Sequence, residues 1–224
     1  MTTPSRAPQT SAQAMLARIR LNPHSRDVHR DLRDPTQMHR TLMRLVPDHL
    51  GPSPRREAGL LFRVDESETA TTILVQASTL DPRRLPAGYG HTEIKDLALM
   101  FTALRKGLAV RYSIVVSPTQ TQRLPLEQKG KRGPVIPLSG AAADHWWHRR
   151  AAQAGLEIHH ALPTTLAPAR SRRPDAPRVR HSLVRYEGTA SITDPDQLAQ
   201  ALLTGIGRGK PYGAGLLTLA PATR

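Results

Sequence analysis

Cysteine is absent from the 224 residues, which excludes disulfides, zinc ribbons, iron–sulfur clusters and thiol catalysis together. Aromatic residues make up only 4% of the chain, too few for the stacking platform on which single-strand binders rely. No unbroken apolar run approaches the ~20 residues that a bilayer crossing needs, so no membrane partner is expected. The segment from Met1 to Ala14 is polar and lacks the apolar stretch of a secretory signal. It reads as the disordered tail of a soluble, cytoplasmic protein. Acidic residues are also scarce: 18 Asp and Glu face 32 Lys and Arg, for a net charge of +14. Only five of those 32 are lysines, so the excess is almost all arginine. A guanidinium fork grips phosphate oxygens two at a time, and an arginine-rich surface suits nucleic acid. With so few aromatics, recognition of a folded nucleic acid by its backbone and shape fits better than base stacking.

A chain of this length makes one large domain or two small ones of ~100 residues each. Residues 15–21 alternate apolar and basic side chains, the period of a half-buried strand, and Asn22-Pro23 ends it. Residues 24–33 read as a loop or a loose helical turn. Asp34 as N-cap, Pro35 at the first helical position and Gln37 at the capping-box position then predict a helix. Its inner stripe is Met38, Leu42, Leu45 and Val46, and Pro47 closes it. Strands are predicted over 59–64 and 71–76, while the type of 80–108 stays open. Beyond it come a strand over 109–116, a basic loop over 120–137 and a helix from Ser139 to about Ala154, with Trp146, Trp147 and Ala151 inward. Strands over 156–162 and 179–192, a short helix over 195–203 and a last strand over 216–220 complete the chain. The second half thus reads strand, helix, strand, strand, helix, strand, and the first half begins in the same way. The fold class is α+β: two tandem ferredoxin-like βαββαβ units, spanning residues 15–95 and 96–224.

The least ordinary segment lies near the C-terminus, where Gly205, Gly207, Gly209, Gly213 and Gly215 fall within eleven residues, with Arg208 and Lys210 among them. It is neither a Walker A loop nor a dinucleotide fingerprint, because Pro211 follows Lys210 and no glycine stands at 210. A turn leading into a strand needs one or two glycines. Five would let backbone N–H groups approach a polyanion while the two cations pin it.

This glycine-rich loop, on a duplicated ferredoxin-like fold, resembles the RAMP superfamily of CRISPR-associated RNA-binding proteins. Leu21-Asn22-Pro23, Ser25-Arg26, Asp31-Leu32 and the run from Pro35 to Leu42 are similar to the opening of the CasE family. Further matches are Arg111-Tyr112-Ser113, Ser117-Pro118-Thr119, Lys131-Arg132, Pro137-Leu138, Trp146 and Tyr186-Glu187-Gly188. The resemblance spans residues 15–221 and is weakest over 50–108. It implies a metal-independent endoribonuclease of the type I-E Cascade complex, cleaving CRISPR repeat hairpins, with the repeat RNA and the other Cascade subunits as partners. In that reaction the 2′-hydroxyl attacks the adjacent phosphate, leaving a 2′,3′-cyclic phosphate and a free 5′-hydroxyl.

Such chemistry needs a base for the 2′-OH, a proton donor for the 5′-oxygen and positive charge on the developing phosphorane. By position alone His39 is one of ten histidines; the resemblance marks it as the catalytic imidazole. At helical spacing Thr36, His39, Arg40 and Arg44 share one face, a proton carrier beside two guanidiniums. Many family members carry Tyr where this chain has Thr36. A threonine hydroxyl ionises far less readily than a phenol, so it orients a phosphate better than it takes a proton. Tyr112, Tyr186 and Tyr212 are candidate substitutes, and a catalytically inactive RNA-binding subunit is the alternative.

RNA contacts are expected from Arg44, from a basic loop with Lys129, Lys131 and Arg132, and from Arg208, Lys210 and the glycine loop. Arg170, Arg172, Arg173 and Arg178 form either a hairpin arm entering the groove of an RNA stem or a solvated loop. Both hold if the arm orders only on RNA. The histidine pairs 145/148 and 159/160 lack a hydrolytic zinc pattern. No metal and no other cofactor is expected.

Overall fold

The computed structural model describes residues 13–125, 130, 133–170 and 180–222. Strand β1 (Met15–Leu21) turns Arg18 and Arg20 outward and buries Ala17, Ile19 and Leu21, as its alternation requires. The polar run after it, expected to be a loop or a loose helical turn, folds as a full helix, α1 (Arg26–Arg33). Asp27 in its first turn and Arg30 and Arg33 in its last complement the helix dipole, and Arg30 pairs with Asp27. Helix α2 (Pro35–Met43) starts where the sequence placed it, with Asp34 Oδ1 accepting from the Thr36 N–H at 2.9 Å. The reciprocal bond of a capping box has no donor to use, because the Asp34 N–H already bonds Arg30 O at the end of α1. Leu45 and Val46 are buried from the turn after α2, not from the helix itself.

Helix α3 (Pro54–Glu57), β2 (Leu61–Glu66) and β3 (Thr71–Ala77) follow, and the segment of open type contains β4 (Gly90–Asp96) and α4 (Ala98–Ala103). The four strands form an antiparallel sheet in the order β2-β3-β1-β4. This is the ferredoxin-like order, with one change: the second crossover is a three-residue 3₁₀ turn, Pro82–Arg84, where a helix would stand.

The second half is complete. β5 (Ala109–Val116), α5 (Gly140–Gln153), β8 (Leu156–Arg170), β9 (Arg180–Ile192), α6 (Pro195–Thr204) and β10 (Leu217–Pro221) build a sheet ordered β10-β5-β9-β8. The stretch 120–137 is not all loop, because β6 (Thr119–Thr121) and β7 (Val135–Pro137) pair across it as a small ribbon. β8 also runs past the predicted end at Leu162, paired to β9 as far as Arg170 opposite Arg180 through two register shifts. The first shift lies between Ile158 and His160, opposite Ala190 and Thr189; next to it, a Cβ on Gly188 would fall 1.9 Å from His160 O, so that position admits only glycine.

Each sheet has its own core. Ile19, Leu42, Phe62 and Ile73 fill the first; Ile114, Trp147, Tyr186 and Leu198 fill the second, each buried side chain contributing about 1.5–3 kcal/mol. The sheets meet through buried polar bonds. Arg63, only 6% exposed, donates to Ser113 O at 2.8 Å and to Thr218 Oγ1 at 2.9 Å while its Nε contacts Asp65. Asp65 also accepts from Arg185 at 2.6 Å, and Gln76 donates to Leu202 O at 2.7 Å. Among the described residues, no helix is long and apolar enough to cross a membrane.

Candidate active site

The first turns of α2 aim Thr36 and His39 toward the protein and leave Arg40 and Arg44 exposed to solvent, so the four residues do not form one uniform face. The His39 ring stacks on Phe62 of β2, with centroids 6.5 Å apart at 23°. Burial, helped by the Arg55 guanidinium, holds the imidazole below its ordinary pKa, so it is neutral at pH 7 and ready to accept a proton. Arg55 is presented by α3, whose Glu57 accepts from the N–H groups of Gly51 and Ser53 and fixes the preceding loop.

Facing α2 is the glycine run, whose central 3₁₀ turn, Lys210–Tyr212, packs against both α2 and β2. Burial and the charges of Arg55 and Arg56 lower the Lys210 pKa. Arg55 thus sits within electrostatic reach of both His39 and Lys210. All five glycines adopt positive φ, between 75° and 93°. This corrects the expectation that a turn into β10 would need only one or two. The N–H groups of Gly205, Gly213 and Gly215 bond to Ala201 O, Lys210 O and Val115 O, so those amides serve the fold and are not free to approach a ligand. At Gly205 a Cβ would lie 2.7 Å from Leu61 Cδ2 and 3.0 Å from Gly215 O, in addition to the strain of its φ of +75°. Gly207, Gly209 and the exposed Arg208 lie on the limb that bridges back to Ser117.

The three tyrosines separate cleanly. Tyr112 donates to His160 O and accepts from Trp147 Nε1, and Tyr186 donates to Asp144 at 2.8 Å. Burial raises the pKa of both, and both belong to the second core, so neither can stand in for the phenol that Thr36 lacks. Tyr212 is half-buried and lines a groove of about 340 Å³ together with Pro35, Met38, Phe62, Arg185 and Gly213. Its ring lies 4.5 Å from that of His181 on β9. Burial, with the nearby Arg208 charge, lowers the His181 pKa.

Among the described residues, four buried side-chain polar atoms have no hydrogen-bond partner: Thr36 Oγ1, His39 Nδ1, Ser117 Oγ and Arg185 Nε. All four belong to residues around the 208–213 turn, on α2, beside Gly209 or along the groove. Unpaired buried polar atoms are rare in folded proteins, and their convergence marks the site independently of any motif. Arg170 ends β8, while Lys129, Lys131, Arg132, Arg172, Arg173 and Arg178 lie outside the described residues. Arg55, Arg63, Arg185 and His181 carried no sequence signal that set them apart from the general arginine excess or the other histidines.

Two ferredoxin-like sheets, joined by the Arg185–Asp65 ion pair and the hydrogen bonds of Arg63 and Gln76, with an imidazole on α2 facing a glycine turn that carries cations, define the class: a tandem-ferredoxin protein with a proton carrier beside basic side chains. Comparison with known proteins agrees. Residues 15–221 match the family model described as "CRISPR associated protein". The CRISPR-associated endoribonuclease Cse3 of Thermus thermophilus is 29% identical over 219 residues, covering 92% of this chain and 99% of that protein. The structure of Thermus thermophilus Cse3 bound to an RNA representing a pre-cleavage complex superposes with a TM-score of 0.75 at 29% identity, over 93% of this chain and 100% of that one. A chain of a pre-nicking CRISPR RNA-guided surveillance complex is 37% identical, with a TM-score of 0.66, over 93% of this chain and 100% of that one. The chain belongs to this CRISPR-associated family, within its CasE group.

Proposed function

We propose that this protein is a metal-independent endoribonuclease that cleaves the stem-loop repeats of CRISPR precursor RNA and stays with the product as a subunit of the Cascade surveillance complex, acting in the cytoplasm. The observation that carries the reading is the placement of His39: a neutral, half-buried imidazole on α2, facing a turn that holds Lys210, with Arg55 within electrostatic reach of both. His39 takes the proton of the 2′-hydroxyl as that oxygen attacks phosphorus. Arg40, Lys210 and Arg55 place positive charge where the phosphorane develops, the usual source of a large electrostatic contribution. Thr36, one turn before His39, orients a phosphate oxygen through its unpaired hydroxyl. Arg44, Arg208 and the Gly207–Gly209 limb contact the RNA backbone. So do the segments with Lys129, Lys131 and Arg132 and with Arg170, Arg172, Arg173 and Arg178. Together they fix the hairpin's position and not its sequence.

The test is incubation of the protein with its own repeat hairpin in excess EDTA. Cleavage at the 3′ base of the stem, with a 2′,3′-cyclic phosphate end, is the expected result, and a 2′-deoxy substitution at the scissile nucleotide abolishes it. Cleavage that stops in EDTA, or that survives the 2′-deoxy substitution, contradicts the mechanism.

A further inference from the structure

Attack by a 2′-hydroxyl transfers two protons, and His39 accounts for one. As the P–O5′ bond breaks, the leaving 5′-oxygen must receive the other. In-line displacement puts O2′ and O5′ on opposite sides of phosphorus, so the two proton carriers have to come from different walls of the cleft. α2 is one wall and the 208–213 turn is the other.

Three titratable side chains on or beside that second wall are candidates. Lys210 folds back over its own loop: its Cε and Cγ lie 3.0 and 3.2 Å from where Cβ atoms on Gly205 and Gly215 would stand, alongside Arg55 and Arg56. His181 has one ring face against Tyr212 and its Nδ1 beside Gly209. Tyr212 remains, and its surroundings suit the task. His181 holds the ring in a tilted aromatic contact, and the side chain lines a groove shared with Pro35 and Met38 of α2 and Phe62 of β2. Phe62 touches both sides: it stacks on His39 and packs 3.4 Å from the Cβ position of Gly213, the next residue after Tyr212. Among the described residues, the Tyr212 hydroxyl has no hydrogen-bond partner, unlike those of Tyr112 and Tyr186.

We infer that Tyr212 is a further catalytic residue, the general acid that delivers its phenolic proton to the departing 5′-oxygen while His39 accepts the proton of the attacking 2′-hydroxyl. The balance closes without a co-reactant. The P–O2′ bond forms, the P–O5′ bond breaks, the phenolate is left on the turn that also carries Arg208 and Lys210, and proton exchange with the imidazolium through solvent restores both groups. The inference rests on the endoribonuclease reading above.

Tyr212→Phe keeps the ring and its contact with His181 and removes one oxygen, so the fold stays intact. The measurement is single-turnover cleavage of the repeat hairpin at saturating enzyme, made with two substrates: the natural one, and one whose scissile 5′-oxygen is replaced by sulfur. A thiolate leaves without a proton. Tyr212→Phe is expected to be slower by about 100-fold on the oxygen substrate at unchanged affinity, and to match the wild type on the sulfur substrate. His39→Ala stays slow on both. A Tyr212→Phe protein that is as fast as the wild type on oxygen, or equally slow on both substrates, overturns the assignment while a slow His39→Ala leaves the endoribonuclease reading in place. A wild type that does not cleave the hairpin, or a fully active His39→Ala, removes that reading and this inference with it.

Discussion

In the C-terminal half, Tyr112, Trp147 and Tyr186 bury three large rings and pair every polar atom those rings carry, through Trp147 to Tyr112, Tyr112 to His160 and Tyr186 to Asp144. In the N-terminal half, α2 buries Thr36 Oγ1 and His39 Nδ1 and pairs neither. An unpaired buried polar atom costs about 1–3 kcal/mol, so a fold keeps one where something other than stability is served. The two halves share a strand order and divide the labour. One has a core whose aromatic polar atoms are all paired, and it projects the glycine turn, beside which its own two unpaired atoms, Ser117 Oγ and Arg185 Nε, lie; the other holds an unsaturated helix against that turn.

The comparison can be broken from either side. Trp147→Ala empties the centre of the scaffold and should cost about 3–5 kcal/mol in urea unfolding. A much smaller loss would mean that the second core is not what holds the turn in place. At the junction, Arg63→Ala strips donors from Ser113 O and Thr218 and leaves Asp65 with Arg185 alone. A cost of about 2–3 kcal/mol is expected, also by urea titration, and a neutral outcome would show the sheets to be held by other contacts. Thr36→Val should do the opposite on the unsaturated helix. Replacing an unpaired hydroxyl with a methyl group should leave stability unchanged or raise it by up to about 1 kcal/mol, while slowing cleavage several-fold. A destabilised Thr36→Val protein would place that hydroxyl in the scaffold after all.

The smallest effect is on pH. The folded-state pKa of His39 is depressed, so the imidazole stays neutral as pH falls below 7 and protonates only under the ordinary value of about 6.5. The acidic limb of kcat/KM, which reports the free enzyme, should therefore lie below that value. A limb well above it would mean that the titrating group is not this buried imidazole.

Much of this arrangement is legible in the residue order, for reasons that differ by element. β1 and β5 show their alternation because one face is buried and the other is not, and α2 announces itself by Asp34-Pro35. α1 does not, because it is held by ion pairing and its dipole, with only Val28 and Asp31 buried, and so carries no apolar stripe. The extension of β8 is hidden by Pro163 and Pro168, residues that argue against a strand. They are tolerated because β8 is the edge of its sheet, where a missing N–H breaks no ladder. In the site, His39 and the glycines stand out by motif, but the reason for five glycines does not: each positive φ is a property of the closed turn. Nor does sequence separate Tyr212 from Tyr112 and Tyr186. Burial and hydrogen bonding do. Arg55 sits on a four-residue helix too short to leave a periodic signal.

The most direct test of the account is His39→Ala, read by single-turnover cleavage of the repeat hairpin at saturating enzyme and by titration of hairpin affinity on the same preparation. The account predicts a rate lower by about 10²–10⁴-fold with the Kd unchanged. Cleavage at the wild-type rate, or a loss explained entirely by weaker binding, would contradict it.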